Sequence, residues 1–509
     1  MPTQTVIPPS PTAEAIRPAG GAAAEVAGRP TLRPMREPEA LSPRLRVRRA
    51  VYLIVVTFLV PGAAQLSAGS RRVGRLAVRA WLAVVGAVVL LGLLWLVDRT
   101  VVLQLATSPL ALGALTVGCF LAAAVWAGLV VDAWRLGRPR LLPRRSRLAM
   151  TGLLVLSVAL AGLPLVAAGQ RTWAAADLIT GVFGSDQTSD AVAGRFNVLL
   201  LGGDAGADRT GTRPDSMTLV SIDSQTGRSV LFSLPRNLEN VPFPAGSSAA
   251  KALPKGWSCG DKCLLNAIYT WGTEHKSLFP GGADPGAEAM KQAVEGVTGL
   301  KVNYYVLIDL KGFRRLIDAM GGITVTVGTR VPIGGETSRI SGYIEPGTQK
   351  LDGYHALWFA RSRTGSSDYA RMQRQRCVMN AMLHQLDPAT LLAHFQDIAA
   401  AGKDVMSTDI PAGQLATFID LGTAAKGQKV TSVQFVPPLV NPAYPDYTVI
   451  HTRVNQAISE AEHPSAATPA APTAKASAAP SPRPAAGSTP SGSSAPTSPV
   501  DISSACTAG

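Results

Sequence analysis

Three apolar stretches, at about residues 79–97, 110–131 and 148–169, dominate the first third of this 509-residue chain. Each is long enough to cross about 30 Å of hydrocarbon as a helix. Inside a bilayer the backbone must satisfy its own N–H and C=O groups, so these stretches predict transmembrane helices. A fourth run, Ala50 to Leu66, is broken by Pro61 and Gly62 and carries arginines on both sides: Arg44, Arg46, Arg48 and Arg49 before it, Arg71, Arg72, Arg75 and Arg79 after it. Arginine marks the cytoplasmic side of a span, so both ends of this run read as inside. It is expected to re-enter the membrane or lie on its surface. Only Asp98 and Arg99 carry charge between the first and second spans, whereas six arginines from Arg135 to Arg147 separate the second from the third. The topology is then in, out, in, out, with everything after the third span outside the cytoplasm. Some 50 mostly polar residues precede the first apolar run, which argues against a cleavable signal peptide.

Charge follows the same division. Residues 1–170 hold 19 Arg, no Lys and six acids, a balance of +13 against +14 for the whole chain, so the remainder carries only +1. The basicity belongs to the membrane region and gives no support to a nucleic-acid partner. Cysteine usage fits an exported domain: Cys259 and Cys263 bracket the short loop CGDKC, and Cys377 and Cys506 remain as a second candidate pair in an oxidising compartment. Cys119 lies within a span and reads as a small buried residue.

The organisation expected is a disordered cytoplasmic tail over 1–43, a membrane region over 44–169, a linker over 170–190, one extracytoplasmic domain over 191–460 and a Pro/Ala/Ser-rich disordered tail over 461–509. Within the domain, helix and strand signals interleave. Phe196 to Leu201 is an apolar run of strand length ending at Gly202 and Gly203, and Met217 to Ile222 with Ser229 to Leu234 predict a hairpin around DSQTG. Asp284, Pro285, the spacing of Met290, Val294 and Val297, and Gly299 predict a helix with both caps. Val302 to Ile308 reads as a strand, Gly312 to Met320 as a helix and Ile323 to Val327 as a strand. The fold class is α/β, a mixed sandwich with a central sheet covered by helices, preceded by the helical transmembrane region.

The chemistry concentrates between Arg361 and Arg376. ALWFARSR reads as an extended segment, which sends Arg361 and Arg363 to one face of a strand. In the following DYARMQRQR, Asp368, Arg371 and Gln375 fall within roughly 60° of one another on a helix, with Arg374 and Arg376 turned away toward what reads as a solvated side. Converging guanidinium groups make a planar, multidentate receptor suited to phosphate. Asp204 closes the first strand and Asp215 opens the second; two acids at adjacent strand ends suit a hard divalent cation such as Mg2+, with Mn2+ as a substitute. Arg236 follows Pro235 at the end of the hairpin's return strand and is expected at the same rim. Neither GxGxxG nor GxxxxGK[ST] is present.

The succession FNVLLLGGD, RPDSMTLVSID, VLFSLPRN, LLNAIYTWG, NYYVLIDLKGFRRLIDAMGGITVTV, LDGYHALWFARSR and D-x-x-R-x-x-RQR, over about residues 195 to 385, resembles the LytR-CpsA-Psr family of envelope proteins. The resemblance implies transfer of an anionic glycopolymer from a polyprenyl-pyrophosphate lipid to peptidoglycan, forming a phosphodiester, with pyrophosphate hydrolysis as a side activity. It also implies roles: Asp204 and Asp215 at a magnesium site; Arg236, Arg361, Arg363, Arg371 and Gln375 on the pyrophosphate; Asp368 paired with the arginines; Arg213 as a secondary contact. Asp215, Arg236, Asp368 and Arg371 are the catalytic candidates. Asn237 stands where the family usually has an acid, and the membrane region is longer than the single anchor common in the family. A prenyl chain needs an apolar tunnel, expected to be lined by residues such as Val306, Ile308, Phe313 and Leu316. The competing readings are a non-catalytic envelope protein that senses lipid-linked precursors and a polyprenyl-pyrophosphate hydrolase. Arginine exceeds lysine 36 to 12 and alanine is abundant, as in high-GC, actinobacterial-like sources, which leaves the transferred polymer open.

Overall fold

The computed structural model describes residues 35, 36, 39, 41–183, 188–203, 213–281, 284–335, 338–385, 406–428, 430–463, 500 and 501. Asp204, Cys506 and most of the two terminal tails expected from the sequence lie outside the described residues. The chain forms two compact bodies, one drawn from Met1–Gly86 and Ala123–Leu163, the other from Ala87–Ala122 and Pro164–Gly509.

The N-terminal part of the described residues forms six α-helices: α1 (Pro43–Leu59), α2 (Ala63–Ala68), α3 (Arg71–Val97), α4 (Arg99–Thr107), α5 (Pro109–Leu136) and α6 (Arg144–Val182). Among the described residues three helical stretches are long and apolar enough to cross a membrane, those of α3, α5 and α6. They coincide with the three stretches singled out by hydropathy. The run at 50–66 is split where its Pro-Gly pair predicts: α1 stops at Leu59, Gly62 adopts φ 94° and α2 starts at Ala63. Within the first body, Arg49 is buried and donates from Nη1 to the Leu136 carbonyl at 3.0 Å, and Gln65 donates to the Leu129 carbonyl at 3.0 Å and to Asp132 at 2.9 Å. Ala50 and Ile54 share a core with Val130 and Met150. One expectation is corrected here. The stretch 170–190 is not a linker throughout, because α6 continues to Val182. The segment AAADL carries strong helix formers, and Leu178, Ile179 and Val182 bury one face of it.

The second body is built on a seven-stranded mixed sheet. Its strands are β1 (Arg195–Gly203), β2 (Pro214–Asp223), β3 (Ser229–Leu234), β4 (Tyr304–Asp309), β9 (Met406–Thr408), β10 (Thr431–Gln434) and β11 (Val500–Asp501), in the order β11-β10-β3-β2-β1-β4-β9. β2 pairs antiparallel with both β1 and β3, while β4 pairs parallel with β1 and β10 parallel with β3. β5 (Ile323–Val327) with β8 (Gly347–Leu351), and β6 (Val331–Gly335) with β7 (Ser338–Ile344), form two separate ribbons.

Helices α7 (Ser248–Ala252), α8 (Ile268–Glu274), α9 (Pro285–Thr298), α10 (Leu310–Ala319), α11 (Gly353–Arg361), α12 (Asp368–Gln385), α13 (Leu415–Ala425) and α14 (Tyr447–Glu462) cover the sheet. One sheet face presents Leu199, Leu201, Leu219 and Phe232 to Met290, Val294 and Val297 of α9 and to Ile450 and Val454 of α14. Burying each such side chain stabilises the domain by about 1.5–3 kcal/mol. As its capping residues predict, α9 starts with the Asp284 side chain accepting from Ala287 N–H at 3.0 Å and ends at Gly299 with φ 73°. The opposite sheet face, with Val198, Leu200 and Val306, carries α13 and the site.

The extended reading of ALWFARSR is corrected as well. These residues form most of α11, whose first turn is capped by Asp352 accepting from His355 N–H at 2.8 Å. Gly353, Ala356, Leu357 and Phe359 are buried, a helical rather than an alternating period.

Candidate functional site

β1 and β2 end side by side, with Gly203 paired to Pro214 and a register shift between Gly202 and Gly203. Asp215, the second residue of β2, therefore stands at the strand-end rim of the sheet, and Asp204, its expected partner, lies outside the described residues. Arg236, just past β3, donates from Nη1 to Asp215 Oδ1 at 2.5 Å. Arg363, in the loop after α11, places Nη2 3.9 Å from Asp215 Oδ2. Arg371, one turn into α12, donates from Nη2 to the Asp215 carbonyl and to Asp368 Oδ2, both at 3.1 Å.

Gln375, one turn further along α12, accepts from Ser216 Oγ at 3.2 Å and donates to the Ala360 carbonyl at 3.3 Å. Arg361 does not share a strand face with Arg363. It closes α11, with its guanidinium 5.0 Å from the centre of the Trp358 ring. A cation in the last turn also complements the helix dipole. Arg213 is exposed ahead of β2 and makes none of these contacts among the described residues. Thus Asp215, Arg236, Arg363, Asp368, Arg371 and Gln375 come together, and Arg361 borders them.

Burial sets the electrostatics. The Arg371 side chain is only 3% exposed. Burial first, then the nearby positive charges of Arg363 and Arg236, push its pKa down, while Asp368 and Asp215 pull it up. The group stays cationic at neutral pH, and its Nε is a buried donor with no hydrogen-bond partner among the described residues. An unpaired donor in that position costs about 1–3 kcal/mol unless an acceptor arrives.

Arg374 and Arg376 lie off the Asp368–Arg371–Gln375 face of α12, about 200° from one another, and neither stands in solvent: Arg374 is half-buried and Arg376 buried. Arg374 donates from Nε to the Phe359 carbonyl at 2.7 Å and from Nη2 to the Ser362 carbonyl, tying α12 to the end of α11. Burial, with the Arg371 charge second, lowers its pKa to about 10. Arg376 is 5% exposed, and burial lowers its pKa to about 10 too. Spacing gives direction around a helix but not what packs there.

Behind the cluster opens a cavity of about 380 Å3. Its polar lining includes Asp215, Ser216, Arg361, Arg363, Arg371 and Gln375. Its apolar lining includes Leu200, Val306, Ile308, Phe313, Leu316 and Met382, with Thr218 and Asp309 between them. All four residues expected to line an apolar tunnel border it. The contributions of Met379, Met382 and Met406 had no distinguishing signal in the sequence.

Asp215 supplies a hard oxygen donor suited to a divalent cation. Among the described residues no group of three His, Cys, Asp or Glu side chains assembles. A cation there would take one carboxylate from Asp215 and the rest of its shell from Asp204, water and phosphate oxygens, which is how Mg2+ usually sits. Of the expected pair, only Asp215 is among the described residues. Elsewhere in the domain Cys259 and Cys263 form a disulfide with Cα atoms 5.1 Å apart, and Cys377 is disulfide-bonded. Cys506 lies outside the described residues.

Comparison with known proteins gives the same domain. The LytR_cpsA_psr family model matches residues 174–460. Biofilm regulatory protein A of Streptococcus mutans serotype c is 29% identical over 45% of this chain and 53% of its own length. The polyisoprenyl-teichoic acid–peptidoglycan teichoic acid transferase TagU of Oceanobacillus iheyensis is 29% identical over 46% of this chain and 65% of its own. The probable cell wall biosynthesis protein LcpB of the actinobacterium Corynebacterium glutamicum is 31% identical over 42% of this chain and 43% of its own. The match therefore spans between about two fifths and two thirds of these relatives. With the motif order, the mixed sheet and the family match in agreement, the chain belongs to the LytR-CpsA-Psr family.

Proposed function

We propose that this protein is a phosphotransferase that moves an anionic glycopolymer from a polyprenyl-pyrophosphate carrier to peptidoglycan during cell wall assembly, with its catalytic domain on the extracytoplasmic side of a multi-pass membrane region. The observation that carries this reading is the mixed lining of the cavity. Arginines 361, 363 and 371 and Asp215 line it together with a larger set of apolar side chains such as Leu200, Val306, Phe313 and Leu316, which suits a ligand with a polyanionic head and a long apolar tail. The teichoic acid transferase among the relatives names the same class of donor and acceptor.

In this reading Arg371 and Arg363 bind the pyrophosphate from the α11–α12 side and Arg236 from the β3 side, while Gln375, held between Ser216 and the Ala360 carbonyl, orients it. The acceptor is a sugar hydroxyl of peptidoglycan, read as the muramyl 6-hydroxyl. Its oxygen bonds to the glycan-side phosphorus, the bond from that phosphorus to the bridging oxygen breaks, and the products are a phosphodiester, the lipid monophosphate and a proton. Charge accumulates on the departing lipid phosphate, where fixed guanidinium donors are most effective because they need no reorganisation. Asp368 keeps the Arg371 fork oriented and is a positioning residue. Asp215 and Asp204 would hold Mg2+, which when bound neutralises phosphate charge.

The test is joining of a lipid-pyrophosphate glycan to peptidoglycan fragments by the purified full chain in the presence of Mg2+. Asp215→Ala and Arg371→Ala should abolish product. Unchanged product in both variants overturns the assignment, and release of phosphate without a joined product replaces transfer by hydrolysis.

A further inference from the structure

The family resemblance assigns no role to the short helix between the first two spans. In the structure α4 is not a free connection. Asp98 caps it by accepting from Thr100 N–H at 2.9 Å, and it packs along α13. Arg99 Nε lies 3.0 Å from Asp420 Oδ1 of α13. α13 in turn is packed onto the sheet through Phe418, whose ring centre is 5.3 Å from that of Phe196 and 5.7 Å from that of Tyr304, and through buried Leu421. The loop between the spans thus reaches the sheet face that carries the cavity.

The third span arrives at the same place. α6 has 39 residues, about 58 Å at 1.5 Å per residue, against about 30 Å of hydrocarbon. Arg144, Arg145 and Arg147 anchor its start at one membrane face. Most of the excess length therefore projects from the opposite face. Trp173 is 65% exposed, as an aromatic in the interfacial belt would be. Leu178 and Val182, one to three turns farther on, are buried against Phe183 and Met406. Met406 lines the cavity. Phe183 also packs against the buried cluster of Phe196, Val198 and Tyr304, on which the cavity-lining Leu200 and Val306 pack as well. Apolar contacts through Met406 thus link the outer end of α6 to the cavity lining.

From this arrangement we infer that the outer end of α6, with Phe183 and Met406, is the portal through which a long isoprenoid chain passes from the bilayer into the cavity, and that α4, latched to α13 by Arg99 and Asp420, holds the domain with that portal against the membrane. The inference rests on the phosphotransferase reading for its substrate, but not for its geometry. On the packed pair α4 and α13, Val101, Leu105 and Ile419 remain exposed apolar side chains. The latch matters only for a donor whose tail is anchored in lipid. A short, water-soluble donor reaches the arginines from solvent.

The experiment compares two lipid-pyrophosphate glycans, one with a long polyprenyl chain embedded in vesicles and one with a short soluble chain, using the full chain in the same vesicles. Arg99→Asp and Asp420→Arg should each lower turnover of the long-chain donor about fivefold and leave the short-chain donor within twofold, and the double exchange should recover most of the loss. An equal fall for both donors, or no fall for either, overturns the latch. Wild type inactive on both donors removes the phosphotransferase reading instead, and the geometry is then judged by two probes that need no turnover. In a Cys119→Ala background, Arg99→Cys with Asp420→Cys should be joined by a short bis-maleimide in membranes. A photoreactive residue replacing Phe183 should label a radioactive polyprenyl phosphate. No cross-link in the first overturns the latch, and no lipid adduct in the second overturns the portal.

Discussion

Arg236 and Asp215 are bonded through Nη1 and Oδ1 at 2.5 Å, each side chain about 30% exposed, so the acid proposed to hold a cation is already neutralised by a guanidinium from the neighbouring strand end. The two positive partners compete for one carboxylate. A cation entering the site must share Asp215 with Arg236 or displace it. In the proposed complex the arginine would then set metal affinity as well as contact phosphate.

Replacing Arg236 by alanine should therefore tighten binding of Mn2+, followed by electron paramagnetic resonance, by about three- to tenfold, while turnover falls about 100-fold. The two effects have opposite signs. Weaker or unchanged Mn2+ binding in the variant would show that Asp215 is not a cation ligand.

Arg371 tests the geometry of the charge rather than its presence. Its Nη2 alone donates to both the Asp215 carbonyl and the Asp368 carboxylate, which leaves the rest of the planar guanidinium, the buried Nε included, to a ligand, and a lysine ammonium with one nitrogen has no such second set of donors. Arg371→Lys should keep the fold, with a melting temperature within a few degrees of wild type, and lose about 100- to 1000-fold in turnover. Turnover within about threefold of wild type would reduce the site to a simple charge patch.

Alkaline stability depends on a different region. Burial first, then the adjacent Asp284 carboxylate that accepts its O–H at 2.5 Å, raise the Tyr269 pKa well above the ordinary phenol value, and burial does the same for Tyr305. In the unfolded chain a tyrosine titrates near 10. A raised folded pKa means that the stabilisation is fully present below pH 10 and is lost as the pH rises past it, because the unfolded state ionises first. The melting temperature of the solubilised chain should fall steeply between about pH 10 and 11. Tyr269→Phe should lower it at pH 8, through one lost hydrogen bond of about 1 kcal/mol, but flatten the alkaline decline. An equally steep decline in the variant would assign the alkaline loss to other groups.

What the sequence disclosed follows from the range of each interaction. β1, α9 and the Asp368–Arg371–Gln375 face of α12 are written in local periodicity and capping residues, and each appears where those predict. α11 was hidden because ALWF satisfies an extended run as readily as a helix, and the deciding signal, Asp352 as a cap, lies outside the run. Val306, Ile308, Phe313 and Leu316 have the same apolar pattern whether they fill a core or line a cavity. Their role is decided by Met379, Met382 and Met406, which are distant in sequence. The extension of α6 to Val182 was obscured by polar residues such as Arg171 and Asp177, which end a hydrophobic span without ending a helix.

Arg374 shows the same limit and gives the sharpest structural test. Read as a solvated residue, its loss should cost less than about 0.5 kcal/mol. In the structure it satisfies the Phe359 and Ser362 carbonyls at the end of α11, the segment that carries Arg361 and Arg363. Helix ends leave such carbonyls without partners of their own, and two orphaned buried acceptors cost about 2–3 kcal/mol together. Arg374→Ala should therefore lower the melting temperature by about 4–10 °C for a domain of this size. Because Arg374 touches no phosphate in the proposed complex, the surviving folded enzyme should show a raised KM, from misplacement of Arg361 and Arg363, with kcat reduced less. Arg374→Lys, able to reach one carbonyl but not both, should fall between the two. A kcat loss as large as that of Arg371→Lys, without loss of stability, would place Arg374 on the substrate instead.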